Sequence, residues 1–332
     1  MTTATAYAHP NIALIKYWGD LDPTLHIPAN GSISMNLAGM FTRTCASFEP
    51  GLEEDRFTLN DKPAPIPSSR RVSKLLDRVR QMAGIRTHAL VESQNNFPTG
   101  VGIASSASGF AALSLAAAYA AGLELDEKDL SRLARTGSGS ACRSIPAGFV
   151  EWQSGGSDEE SYAFSIAAPE HWDLVDCIAL VSIAEKQVSS SEGHSVANTS
   201  IFQEARITDA PRRLDICRTA IQKRDFKALA EVVELDSNLM HAVMITSDPP
   251  LLYWKPETVS VVQEVISMRK SGLAVCYTID AGPNVHVLCS SEVAGAVSGM
   301  LKELPQVSKV LECNPGGPAW IEKSALHGNN RD

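Results

Sequence analysis

The sequence predicts an α+β fold in two units, and three observations predict it. Helix-like and strand-like stretches are mixed along the chain rather than strictly alternating, which argues against a doubly wound parallel sheet. A long alanine- and leucine-rich stretch in the first half reads as a buried helix. The second half changes character, with amphipathic helices followed by short strands around a tight turn. A boundary near residue 185 divides the units into residues 1–185 and 186–332.

In chain order, the apolar run Ile12–Ile15 reads as a buried strand. Val72–Met82 has helical spacing, and Ala89–Glu92 is strand-like. Ser106–Ala121 lacks proline and forms the long helix. Asp126 can cap a shorter helix that runs to Arg135. Phe149–Trp152 and Leu174–Ile183 read as strands, separated by a loop around Gly155, Gly156 and Ser157. Phe226, Val233 and Met240, with Leu229 between them, mark an amphipathic helix, and Val259–Met268 is another. Val275–Ile279 and Val285–Leu288 are strands around the turn Asp280-Ala281-Gly282-Pro283-Asn284. A helix near Val293–Leu301 and a strand near Val307–Leu311 follow.

With 332 residues, 44% of them hydrophobic, the chain can bury a large core. A net charge of -9 excludes the global basic field that holds nucleic acid. Anions must instead be bound by a few local cations and backbone amides. No apolar run reaches the length of a membrane span, and the start resembles no secretory signal. The seven cysteines are scattered and never form a CxxC pair. Free thiols in a cytoplasmic protein are therefore expected.

The strongest local signal is the string PTGVGIASSASG at 98–109, directly before the long helix. Gly100 and Gly102 let the backbone turn tightly and approach a ligand closely. Ser105 and Ser106 offer hydroxyls, and a helix start aims free amides at the same place. This combination makes an anion site. It matches neither GxxxxGK[ST] nor GxGxxG. On local chemistry alone, a loop that only caps a helix fits equally well.

Three side chains outside the loop suit catalysis. Asp280, between a buried strand and a Gly-Pro turn, could serve as a general base, although a turn aspartate more often bonds its own backbone. The fork of Arg143 fits a carboxylate in two-pronged fashion, although a surface ion pair is the plainer alternative. Lys16 ends an apolar strand, where it could also reach along the surface to water. Trp18 is expected in the core.

The loop string closely resembles the phosphate-binding motif of the GHMP kinase superfamily. Three further strings, AHPNIALIKYWGD at 8–20, RTGSGSACRS at 135–144 and YTIDAGPNVHVL at 277–288, resemble the diphosphomevalonate decarboxylase family. The resemblance implies an N-terminal α/β ATP-binding domain and a C-terminal ferredoxin-like domain, commonly in a homodimer. It implies ATP and Mg²⁺, with Pro98, Gly100, Gly102, Ser105 and Ser106 at the nucleotide and both serines at the metal. It makes Asp280 the catalytic base and Lys16 its cationic neighbour. Arg143 would hold the carboxylate that departs as CO₂. Tyr17 would bond the substrate phosphate, and Ser138 and Ser140 would contact the substrate. Asn95 and Asn96 are candidates for the adenine pocket. His26 and Asn30 could face the phosphates, and Ser32 and Ser34 of the same segment resemble the family.

Two positions depart from that pattern. The lysine that usually follows the YWG string is Asp20 here. The family's arginine in a segment resembling SSR-x-GM is Ser191, within Ser189–His194. Losing a charged partner of a phosphate costs more than about 1.5 kcal/mol. His194 could return one switchable positive charge. The expected substrate is therefore mevalonate 5-phosphate, giving isopentenyl phosphate. The alternative is the diphosphate, held by other cations such as Lys186 or Arg206. A kinase that stops at the phosphorylated 3-hydroxyl, and a non-catalytic binding protein on the same fold, are further alternatives.

Overall fold

The structure is a computed structural model and describes residues 3–97, 105–182 and 188–322. β1 (Thr3–Ala8) and β2 (Asn11–Ile15) lead to a small hairpin of β3 (Asp20–Asp22) and β4 (Ile27–Pro28). β5 (Ser32–Asn36), β6 (Thr42–Phe48), β7 (Arg56–Leu59) and β8 (Lys62–Pro63) follow. Next come α1 (Ile66–Ala83), β9 (Ala89–Asn95), α2 (Ser105–Ala120) and α3 (Glu127–Gly137). β10 (Phe149–Gln153), β11 (Tyr162–Ala167) and β12 (Leu174–Leu180) precede the short helix α4 (Ser190–Val196). Three long helices follow: α5 (Gln203–Lys223), α6 (Phe226–Thr246) and α7 (Pro256–Lys270). The rest is β13 (Val275–Thr278), β14 (Val285–Ser290), α8 (Ser291–Glu303), β15 (Lys309–Cys313) and β16 (Trp320–Ile321).

The strands form three main sheets, ordered β16-β1-β6-β9-β7-β8, β11-β10-β5-β2 and β13-β14-β12-β15. Mixed helices and mostly antiparallel sheets, with β7 and β9 the one parallel pair among the described strands, make this the expected α+β class. β12 precedes residue 185 yet pairs with β14 and β15 in the third sheet. At the other end, β16 returns to pair with β1, setting Ile321 opposite Ala6.

The packing follows from side-chain size. Ala4, Ala6 and Ala46 of the first sheet meet Ala111, Ala112 and Ala116 of α2, and small side chains let the helix lie close. α7 and α8 cover one face of the third sheet through Val261, Val265, Val297 and Leu301. Its other face joins Ile12, Leu14 and Ile33 of the second sheet, with Ile221, Leu229 and Val233 of α5 and α6, in one cluster. Each fully buried leucine or isoleucine there contributes about 1.5–3 kcal/mol.

The elements read from periodicity are present to within a few residues, except that β12 ends at Leu180 and an unread strand, β11, lies between β10 and β12. Asp126 caps α3 by accepting the Asp129 N–H at 2.8 Å. α5 had no such signature. It carries Pro211 in its interior, and its buried face includes Arg206 and Arg213. All seven cysteines are free thiols. No described helix is long and apolar enough to cross a membrane.

Candidate active site

A cleft of about 470 Å³ is lined by Lys16, Tyr17, Ser105, Ser106, Ser138, Ser140, Arg143, Ser191, His194 and Asp280. Residues far apart in sequence thus meet in one place. Pro98, Gly100, Gly102 and Lys186 lie outside the described residues. Ser105 and Ser106 stand in the first described turn of α2, and the Ser106 hydroxyl lies 3.3 Å from that of Ser138.

Lys16 follows β2 and is 1% exposed, with its ammonium 2.5 Å from Asp280 Oδ1. Burial lowers its pKa, against the pull of the Asp280 charge and hydrogen bond. The Asp280 side chain remains 25% exposed, so it faces both the lysine and the cleft. The turn around it is closed by its backbone carbonyl, which accepts the Gly282 N–H at 2.7 Å.

Arg143 lies in the short 3₁₀ segment Gly139–Ser144 and is buried. Its Nη1 donates to Ser32 Oγ at 2.6 Å, and Nε and Nη2 donate to Asn11 Oδ1 at 3.3 and 3.2 Å. Among the described residues no carboxylate forms an ion pair with it. A buried guanidinium held by neutral partners can take a carboxylate from a ligand.

The cleft lining also carries an anion, Asp20. Tyr17 donates its hydroxyl to Asp20 Oδ1, and His26 Nδ1 lies 3.6 Å from Asp20 Oδ2. Burial pushes Asp20 up, but the neighbouring His26 and His194 and the hydrogen bond from Tyr17 outweigh it, leaving the carboxyl below its usual value. Burial and the Asp20 carboxylate push the Tyr17 hydroxyl well above its own, so the proton stays on tyrosine.

His194 does not supply the expected charge. Its ring lies against Tyr17 at 4.1 Å and Trp18 at 4.6 Å, measured between ring centres. Nδ1 accepts the Gly19 N–H at 2.9 Å, so the neutral ring carries its hydrogen on Nε2. Burial lowers its pKa to about 4, with Asp20 opposing. That lies below the ordinary 6.5, so the stability it contributes is present above 6.5 and lost as pH falls towards about 4. A histidine NMR titration should leave this ring uncharged through the neutral range, with its change near pH 4. A midpoint between pH 6 and 7, about the ordinary histidine value, would contradict this geometry.

Two glycines make the wall tight. A Cβ on Gly139 would lie 2.6 Å from the Tyr17 ring, and one on Gly193 would lie 2.4 Å from Trp18. Trp18 is buried, as expected, with Met240, Met244 and Leu251.

Other expected residues bond within the protein. Asn96 is not among the described lining of the cleft, and its amide bonds the Gly39 carbonyl and the Phe41 N–H, each at 2.8 Å. Asn95 accepts from Thr42, and Asn30 donates to the carbonyls of Lys16 and Gly31. Ser34 is buried in β5. Arg206 is also buried, spending its donors on the carbonyl of Lys16 and on Asn30 rather than reaching the cleft.

Arg71 and Ser68 of α1 line the cleft without any signal in the sequence. Arg71 donates to the Gly137 carbonyl at 2.9 Å and lies over Phe110. Its place depends on how α1 packs beside α3, which no local pattern reveals.

A cleft that unites the first turn of α2 with cations and a carboxylate is the site of a GHMP-type ATP-using enzyme, and the relatives narrow this to the ATP-dependent carboxy-lyases. Residues 8–163 match the diphosphomevalonate decarboxylase-like N-terminal domain, and residues 177–325 match the mevalonate 5-diphosphate decarboxylase C-terminal domain. The chain belongs to the diphosphomevalonate decarboxylase family. It is 38% identical to the diphosphomevalonate decarboxylase of Aspergillus fumigatus, over 91% of this chain and 80% of that one. With the Saccharomyces cerevisiae enzyme it shares 37%, over 85% and 76% of the two chains. The mevalonate diphosphate decarboxylase structure from Staphylococcus aureus superposes with a TM-score of 0.92 at 39% identity, covering 97% of this chain and 98% of that one. The Enterococcus faecalis enzyme superposes at 0.90 with 36% identity, covering 97% and 99%. Another solved neighbour, at 0.92 and 39% with coverage of 97% and 99%, holds MVAPP, AMPPCP and magnesium.

Proposed function

We propose that this chain decarboxylates mevalonate 5-diphosphate at the expense of ATP, forming isopentenyl diphosphate, CO₂, ADP and phosphate. The observation that carries this reading is the Lys16–Asp280 pair lining one cleft with an arginine, Arg143, that forms no ion pair with a carboxylate among the described residues. The named relatives act on the diphosphate, which favours it over the monophosphate expected from the sequence.

Ser105 and Ser106 meet the triphosphate, and Arg71 adds a cation from α1. Among the described residues no group of three or more His, Cys, Asp or Glu side chains could hold a metal. The oxygen donors at the cleft are hydroxyls and the carboxylates of Asp280 and Asp20, which fit Mg²⁺ carried largely by phosphate oxygens and water, with Ser105 and Ser106 as its protein partners. When bound, Mg²⁺ neutralises charge on the transferring phosphoryl group.

Asp280 accepts the hydrogen bond of the tertiary 3-hydroxyl and takes its proton as that oxygen receives the γ-phosphoryl group. Arg143 grips the substrate carboxylate in two-pronged fashion. Phosphate then leaves carbon 3 with its bonding pair. The bond to the carboxylate breaks, its electrons form the alkene, and CO₂ departs. Positioning and electrostatics supply most of the rate in such phosphoryl transfer.

A second reading, mevalonate 5-phosphate giving isopentenyl phosphate, has one specific observation in its favour. The wall beside Tyr17 presents the Asp20 carboxylate, a neutral His194 and the hydroxyl of Ser191, so it suits a smaller anion. Comparing kcat/KM for the two substrates, with CO₂ and ADP counted together, decides between them. On the diphosphate reading, the diphosphate is preferred and one CO₂ appears per ADP. A clear preference for the monophosphate selects the second reading, and Asp20→Lys with Ser191→Arg should then raise the diphosphate reaction about tenfold or more. ADP without CO₂ would mark a 3-kinase and overturn both.

A further inference from the structure

We infer that two adjacent residues of α6, Asp236 and Ser237, are positioning residues that set the Lys16–Asp280 pair in register. The inference rests on the catalytic role proposed for that pair. Lys16 and Asp280 each lie just past the end of a strand, one in the second sheet and one in the third. Sheet hydrogen bonds alone therefore leave their relative placement open.

One stretch of α6 grips both backbones. Asp236 Oδ2 accepts the Lys16 N–H at 2.6 Å. The next residue, Ser237, accepts the Ile279 N–H at 3.0 Å and donates its hydroxyl to the Ile279 carbonyl at 3.3 Å. His241, one turn further on, donates Nε2 to that same carbonyl at 3.2 Å. The peptide at Lys16 and the residue immediately before Asp280 are thus tied to neighbouring positions of a single rigid element.

Asp236 is itself locked. Its Oδ1 accepts Arg213 Nε at 2.7 Å, and Arg213 Nη2 donates to the Arg206 carbonyl at 2.9 Å. Arg206 in turn donates to the Lys16 carbonyl at 2.7 Å, so both polar groups of the Lys16 backbone are held from the same network. All three charged side chains are buried. Burying such charges is costly unless they are paired and hydrogen-bonded, and here the pairing fixes direction as well as distance. Apolar packing would fix neither. A functional pair needs supporting residues of this kind to hold its geometry.

The test is Ser237→Ala, which removes both bonds to Ile279 with little change in volume, assayed beside Ser237→Thr, Asp236→Asn and Asp280→Asn. A misplaced pair should lower kcat about tenfold or more in Ser237→Ala. The KM values for ATP and the phosphorylated mevalonate should stay within about twofold, because neither is held by Ser237. The melting temperature should stay near that of the natural chain, and Ser237→Thr, which keeps the hydroxyl, should restore most of kcat. Asp236→Asn should lower kcat in the same way, alongside some loss of thermal stability. If Asp280→Asn is inactive while Ser237→Ala turns over at the natural rate, the inference about α6 fails alone. A loss in Ser237→Ala that Ser237→Thr does not repair, or one confined to KM, overturns it as well. If Asp280→Asn keeps its CO₂ release, the reading of the pair itself fails.

Discussion

Exchanging Asp280 for asparagine lowers CO₂ release by about 10²–10⁴-fold, the range expected when a positioned general base is lost. Asparagine keeps the size of the side chain but cannot take the hydroxyl proton. It also sets an amide against the Lys16 ammonium, which now lies 2.5 Å from a carboxylate oxygen. ADP formation should fall in step with CO₂, because phosphorylation of the tertiary oxygen comes first. A stopped assay with labelled substrate reads both products. Undiminished CO₂ release would remove Asp280 from the mechanism, and ADP formation that survives while CO₂ is lost would place it in the second step instead.

Replacing Lys16 by methionine has the next largest effect, about 10²–10³-fold in kcat, comparable to removing one preorganised charge-stabilising donor. The methionine fills much of the same buried volume but leaves the carboxylate without its cation. The pH profile gives a separate reading. Burial holds Lys16 below the ordinary lysine value, while Asp280 pulls it back. Its positive charge is therefore lost at a lower pH than that of an exposed lysine, and kcat of the natural chain should fall as pH rises through that point. In Lys16→Met this alkaline decline should vanish. Its persistence would assign the decline to another group.

Parts of this site are legible in the sequence and parts are not, for physical reasons. The phosphate loop is a contiguous string, so its chemistry can be read locally, and α3 and α6 carry caps or apolar repeats that declare them. Asp280 is ambiguous because its partner is 264 residues away, and only the fold shows its carboxylate turned to Lys16 rather than to its own turn. Arg143 is similar: neutral partners, Asn11 and Ser32, distinguish it from a surface ion pair. His194 reads as a switchable charge until its place between two aromatic rings is known. α5 escapes because polar Gln203, Arg206 and Arg213 interrupt its buried face, and a search for apolar periodicity passes over it. Arg71 escapes because helix docking, not sequence spacing, brings it to the cleft.

The apolar cluster that unites Ile12, Leu14 and Ile33 with Ile178, Leu288, Leu229 and Val233 bears on how the molecule handles its ligands. The strand that leads into Lys16 and the sheet that carries Asp280 share this one hydrocarbon interior, so swinging one away from the other like a jaw would expose oily surface to water. Lys16 and Asp280, seated on that common foundation, therefore resist being drawn apart.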